Sequence, residues 1–130
     1  MESFKYKYFL LIAVVCLLAA CERSTLHETM RITSPDHMVD AVIATVDTDA
    51  AVATPTKLFI VPTGTKITDT ESVLVADNLQ NFTVSWQSSK KLVVSFSSGR
   101  VFSFTNFWES REVNNFQYVV RIYLRDNNSP

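Results

Sequence analysis

The alternation of apolar and polar residues is sharpest near the C-terminus. Phe116, Tyr118, Val120, Ile122 and Leu124 take every second position there, while Gln117, Arg121 and Arg125 look the other way. A period of two puts each set on one face of an extended chain, so this run predicts a half-buried strand. Phe82, Val84 and Trp86 repeat the pattern, as do Leu92, Val94 and Phe96, and Phe102 and Phe104 carry it towards Asn106. Ser97-Ser98-Gly99-Arg100 predicts a hairpin turn between the last two of these runs, with Gly99 free to take a positive φ. Upstream, residues 39–47, 57–61 and 72–76 are apolar runs, the last two closed by turn formers such as Pro62, Gly64 and Asn78. No long segment of period 3.6 competes with them. The pattern predicts an all-β fold over residues 35–130, an antiparallel sandwich or strongly curved meander of about seven strands.

The front of the chain reads differently. Lys5 and Lys7 precede an unbroken apolar run from residue 9 to 18, followed by Ala19 and Ala20. A bilayer-spanning helix needs about 20 apolar residues, and this stretch is much shorter, so residues 1–20 read as a secretory signal peptide. Its end, Leu18-Ala19-Ala20-Cys21, resembles the lipobox of bacterial lipoproteins. That resemblance implies cleavage before Cys21, a thioether from its sulfur to diacylglycerol, and membrane attachment by the acyl chains. Glu22, where such lipoproteins carry aspartate when retained in the inner membrane, favours the outer membrane, facing the periplasm. Cys16 would leave with the signal, so no disulfide is expected despite export. Residues 21–34 mix charge, Ser and Thr without a period and read as a lipidated tether.

Composition narrows the function classes. The 130 residues carry 12 Lys+Arg against 13 Asp+Glu, and this near-neutral balance argues against a nucleic-acid partner. Two glycines are too few for a phosphate-cradling loop. Beyond residue 20, every aromatic except Phe59 lies between Phe82 and Tyr123, which predicts that the C-terminal half supplies most of the core. Charge is also uneven: residues 21–80 are net acidic and residues 81–130 net basic. In an antiparallel fold the halves can interleave, so the split need not make two faces. Lys90, Lys91, Arg100 and Arg111 are candidates for a basic patch meeting lipid phosphates, against the plainer reading of scattered, solvated charge.

Ser34-Pro35-Asp36, Asp40-Ala41, Val61-Pro62, Ala76-Asp77, Trp86, and Arg100-Val101-Phe102-Ser103-Phe104-Thr105-Asn106-Phe107-Trp108, in this order, resemble the motifs of a family of small bacterial lipoproteins of uncharacterised activity. The chain departs from that pattern at residues 47–55, where glycines would be expected. The resemblance supports the fold and implies no activity. A closed β-propeller, which the Ser34-Pro35-Asp36 turn also resembles in its blade openings, needs four or more blades and does not fit this length.

Candidate chemistry is sparse. His27 and His37 are the only histidines, one in the tether and one in a turn, and no metal or other cofactor is expected. Asp36, His37 and Asp40 form the best polar cluster, and Asp47-Thr48-Asp49 lacks the Gly and Glu of a calcium loop. No Gly-x-Ser-x-Gly elbow is present. Asn106, Trp108 and Arg111 are the candidate partner contacts, since Trp and Arg are frequent interface anchors. Alternatively, Asn106 starts a turn and Trp108 caps the core. The expectation is a lipid-anchored envelope accessory protein, attached to the membrane through Cys21 and binding an envelope protein or polysaccharide, not catalysing a reaction. A structural or stress-related lipoprotein without a defined ligand is the alternative, and a small hydrolytic enzyme comes last.

Overall fold

A computed structural model describes residues 25–47, 54–68 and 71–127. Its strands are β1 (Thr25–Thr33), β2 (Val39–Asp47), β3 (Thr56–Pro62), β4 (Leu74–Gln80), β5 (Thr83–Ser88), β6 (Lys91–Phe96), β7 (Ser98–Phe104), β8 (Phe107–Trp108) and β9 (Val120–Asp126). They form two sheets, one in the order β1-β2-β3-β4-β7 and one in the order β5-β6-β9-β8, which makes the fold an all-β sandwich. Nine strands thus replace the expected seven among the described residues. The pairing is antiparallel except between β6 and β9, which run parallel.

The topology follows from one bent ribbon. Residues 74–104 form a long hairpin whose tip is at Ser89-Lys90 and whose register continues from Leu74↔Phe104 to Trp86↔Leu92. The ribbon folds over at Asn81 and Ser97, so its base lies in the first sheet as β4 and β7, and its tip in the second as β5 and β6. The Ser97 amide donates to the Gln80 carbonyl at 2.9 Å, and the Asn81 amide group donates to the Ser97 hydroxyl at 2.9 Å. The stretch Ser97-Ser98-Gly99-Arg100 is therefore the outer corner of this ribbon and not the tip of a hairpin. Asn81 takes φ +53°, Asn78 φ +53° and Gly99 φ +152°, as an abrupt reversal of strand direction demands.

The segment read as a tether is corrected by the fold. Residues 25–33 form β1, an edge strand paired along its length with β2. Their apolar alternation is hidden by a bulge at Thr29. Leu26 and Glu28 share the outer side of the sheet with Val46 and Ala44, whereas Met30 and Ile32 share the other side with Ile43 and Ala41, Met30 staying exposed at this edge, so no single period survives. Cys21 and residues 1–24 lie outside the described residues.

The core lies between the sheets. Val39, Ala41, Leu58, Ile60, Leu74 and Ala76 line it from one side; Leu92, Val94, Val120 and Ile122 line it from the other. Burying each Val, Leu or Ile among them fully stabilises by about 1.5–3 kcal/mol. Both halves of the chain contribute alike, and most of the late aromatics stand at the margin or in solvent, which corrects the expectation of an aromatic, C-terminal core. Val42, Ala44 and Phe59 form a smaller cluster on the opposite face of β2 and β3, with Leu26, Val61 and Ile67 against them. β2 is thus apolar on both faces, which is why it reads as a continuous run.

Gly99 and Gly64 make a contrast that checks the corner. A Cβ at Gly99 would lie 2.7 Å from Leu79 Cδ2 and 3.2 Å from Leu79 Cα, whereas one at Gly64 (φ +82°) meets open space. Gly99→Ala is expected to cost about 2–3 kcal/mol in urea denaturation. Gly64→Ala should cost about 1 kcal/mol, the left-handed backbone alone. Equal costs would contradict the close approach at the corner.

Candidate functional site

The Ser34-Pro35-Asp36 motif builds the β1–β2 hairpin turn. Pro35 sets φ for the turn, the His37 amide closes it on the Ser34 carbonyl at 2.9 Å, and His37 takes φ +58°. Asp36 Oδ1 accepts from the Ser34 hydroxyl at 2.7 Å and the Met38 amide at 3.2 Å. Its other oxygen faces Tyr118, whose hydroxyl lies 2.6 Å from Asp36 Oδ2 and 2.9 Å from the Ser89 carbonyl. The single phenolic proton is shared between these two acceptors. Tyr118 thereby joins the β1–β2 turn to the tip of the bent ribbon, and Lys90 Nζ sits 4.9 Å over its ring. Nearby, the Trp86 indole N–H donates to the Ile32 carbonyl at 2.9 Å and ties β5 to β1 across the two sheets.

Asp40 serves a second junction, on the outer face of the first sheet. It is 1 % exposed. Its carboxylate accepts from Arg31 Nη1 at 2.8 Å, the Thr63 hydroxyl at 3.1 Å and the Gly64 amide at 3.0 Å. Arg31 also bonds Glu28 at 2.6 Å, a pair that the Thr29 bulge brings to one face. A third carboxylate, Asp77, holds the Arg100 guanidinium by two bonds of 2.6 and 3.1 Å, and Arg100 stacks over Phe102 at 4.9 Å.

These roles dissolve the proposed Asp36–His37–Asp40 cluster. Asp36 caps a turn, Asp40 clamps three strand ends on a different face, and His37 is an exposed turn residue. No three metal-binding side chains converge among the described residues. Asp47 faces His27 at 3.3 Å, while Thr48 and Asp49 lie outside the described residues.

The candidate contacts separate in the structure. Trp108, on β8, is 9 % exposed and belongs to the core, so it is not a free-standing anchor. It shares that core with Phe104, whereas Phe102 is turned out to 55 % exposure by the register shift between Ala76↔Val101 and Val75↔Ser103, and the chain then crosses between sheets at Thr105-Asn106. Asn106 is exposed there, and its carbonyl accepts from the Ile122 amide at 2.9 Å. Arg111 is exposed in the loop after β8, with its guanidinium 6.0 Å from the Phe116 ring. Asn114, Asn115 and Phe116 in that loop all take positive φ.

Two open clefts meet at Trp108. One, of about 390 Å³, is lined by Ser72, Val73, Thr105, Phe107 and Glu109. The other, of about 410 Å³, is lined by Ile60, Pro62, Lys66, Ser110 and Glu112. Both share Trp108 and Glu71. Neither touches Asp36, His37 or Asp40. Glu109 and Glu112 belong to the candidate stretch around Trp108 and Arg111, whereas Glu71 was not singled out by sequence, because an isolated glutamate in a loop carries no pattern.

The candidate basic patch of Lys90, Lys91, Arg100 and Arg111 does not come together, in keeping with the plainer reading of scattered charge. Arg100 belongs to the first sheet and is paired with Asp77, and Arg111 lies on the loop. Lys91 instead stands in register with Arg121, four residues from the Ser95↔Arg125 pair. No family model, curated protein or solved structure matches the chain.

The ionisation of the two junctions bounds the stable pH range. Burial opposes charge on Asp36 and Asp40, but bonds from Tyr118 and Ser34 to the first, and from Arg31 and Gly64 to the second, outweigh it and hold both carboxyls below their ordinary value. Their contribution is therefore present above about pH 4 and is lost as pH falls through their lowered folded values. For Tyr118, burial first and the Asp36 carboxylate second push the phenol well above its ordinary value of 10.0. Its contribution is present below that value and is lost as pH rises further. Tyr118→Phe is expected to lower stability by about 1–3 kcal/mol at neutral pH. It should also abolish the part of the alkaline fall due to Tyr118, read from urea midpoints across the pH range.

Proposed function

We propose that this chain is a lipid-anchored accessory protein of the bacterial cell envelope that works by binding. Cys21 is its acylated residue, and the outer membrane, facing the periplasm, is its location. The observation that carries this reading is the Leu18-Ala19-Ala20-Cys21 sequence behind a short apolar run. Small residues allow an extended chain into a peptidase cleft, and a thiol is the group that forms the thioether. A cleaved signal leaves only Cys21 among the cysteines, so the domain would rely on its apolar sandwich and carboxylate junctions for stability.

The binding role rests on the surface around Trp108. The clefts beside it combine an aromatic edge, hydroxyls and the carboxylates of Glu71, Glu109 and Glu112, with Asn106 and Arg111 exposed nearby. An envelope protein or polysaccharide is the class of partner that fits such a mixed polar and aromatic rim. Similarity to the small lipoprotein family noted above agrees with this reading and adds no activity to it.

The intact mass of the protein from membranes should show loss of residues 1–20 and gain of acyl chains, and Cys21→Ser should retain residues 1–20. An unacylated wild type overturns the anchor. For the binding role, in-envelope cross-linking should capture a specific partner that Arg111→Ala loses while its urea midpoint stays within about 0.5 kcal/mol of wild type. Trp108→Ala is unsuitable for that purpose, since emptying its core site costs about 3–5 kcal/mol.

A further inference from the structure

The outer face of the second sheet has a composition unlike the rest of the surface. Register places Thr83, Ser85, Lys91, Val93, Ser95, Arg121, Tyr123, Arg125 and Phe107 on it, opposite the inward row of Val84, Trp86, Leu92, Val94, Ile122 and Trp108. Lys91 and Arg121 are direct neighbours, and Arg125 stands two repeats further along beside Ser95. No Asp or Glu occupies any of these positions. Tyr123 is 42 % exposed and Phe107 45 %, and Lys91 Nζ lies 4.7 Å from the Tyr123 ring. The face is thus cationic, hydroxyl-rich and studded with two exposed aromatic rings.

The uneven charge along the chain becomes spatial here. Every strand of this sheet comes from beyond residue 82, the basic part of the sequence, while the acidic part supplies four of the five strands of the other sheet. The outer face of that other sheet carries Glu28 and Asp40 around Arg31, and the clefts at Trp108 are rimmed by glutamates. An anionic surface would repel those regions and attract the outer face of β5, β6 and β9.

We infer that this face rests on the phosphate headgroups of an anionic membrane, an inference that depends on the lipid anchor proposed at Cys21. Because β1 begins at Thr25, only Glu22, Arg23 and Ser24 separate it from Cys21. Four steps of about 3.5 Å give a reach of about 14 Å, against a Debye length of about 8 Å in physiological salt. A domain on so short a leash remains within the field of the leaflet that holds it. Attachment makes the encounter intramolecular, so modest attraction suffices to orient the domain. Tyr123 and Phe107 suit the headgroup boundary, where an aromatic ring covers apolar chain while cations meet phosphate. Orientation by this face would leave the Trp108 clefts free for a partner.

The test uses lysine acetylation of the lipidated protein in vesicles, quantified residue by residue by mass spectrometry. Vesicles of neutral phosphatidylcholine are compared with vesicles in which a third of the lipid is anionic phosphatidylglycerol. Lys91 labelling is expected to fall about fivefold or more on the anionic vesicles, with Lys66 on the first sheet's loop as an unchanged reference. Molar salt should restore it, as should Arg121→Gln with Arg125→Gln, since each basic residue near an anionic surface strengthens attachment about fivefold. Equal labelling of Lys91 on both vesicles overturns the proposal. Protection of Lys91 by a soluble anionic polysaccharide on neutral vesicles, without protection by anionic lipid, also overturns it and assigns the face to a polymer. Intact mass reports the acyl chains independently, so loss of the anchor reading and loss of this one are separate results.

Discussion

The Tyr118 hydroxyl, held between Asp36 and Ser89, is the contact on which the arrangement of the two sheets most depends. A sandwich without cross-links must stop its sheets from sliding, and apolar packing alone has little directional preference. One buried phenol bonded to turns from both sheets supplies that direction. It also explains why Asp36 is needed as a carboxylate. One oxygen closes its own turn and the other receives the tyrosine, a division that an amide, with a single acceptor oxygen, could not make. The Trp86 bond to the Ile32 carbonyl repeats the device along the same edge, where β5 and β1 would otherwise present two open strands.

Asp40 and Asp77 act in a similar manner within the first sheet. Each is buried and each faces an arginine from the neighbouring strand of the sheet, β1 for Asp40 and β7 for Asp77. An unpaired buried carboxylate would be costly, so each fixes its partner strand as well as its own. The polar groups with the strongest resemblance to chemistry are therefore consumed by architecture. What remains for interaction is at the rim: the clefts beside Trp108, the Arg111 loop with its left-handed backbone, and the cationic face of the second sheet.

The bent ribbon governs the rest of the topology. Because a single hairpin contributes to both sheets, the chain must cross between them again after β7, and β9 enters beside β6 in parallel. That pairing brings Lys91 against Arg121, two residues whose charges no local rule would place side by side. The placement of like charges as direct neighbours opposes the sheet pairing by itself, and a surface that binds phosphate would relieve it.

The strands β5, β6 and β9 were legible in the sequence because period two is a local property of an extended chain with one wet face, and β2 and β3 were legible as short continuous apolar runs because both of their faces are covered. The turn at Ser34-Pro35-Asp36 was legible because Pro and Asp act on their own backbone. β1 was not, because a bulge at Thr29 exchanges its faces midway and an edge strand needs little apolar content. The corner at Ser97–Gly99 looked like a hairpin because glycine reports a permissive φ and does not say whether the chain turns back or changes sheet. Trp108 and Asn106 carried aromatic and polar character in the sequence, but their burial depended on a crossing between sheets. Local covalent geometry and hydrophobic alternation thus determined that this protein is built of β-strands and where most of them lie. Which carboxylates became junctions, and which cations share a face, was decided only by tertiary pairing, because those relations join residues that the chain keeps 9 to 82 positions apart.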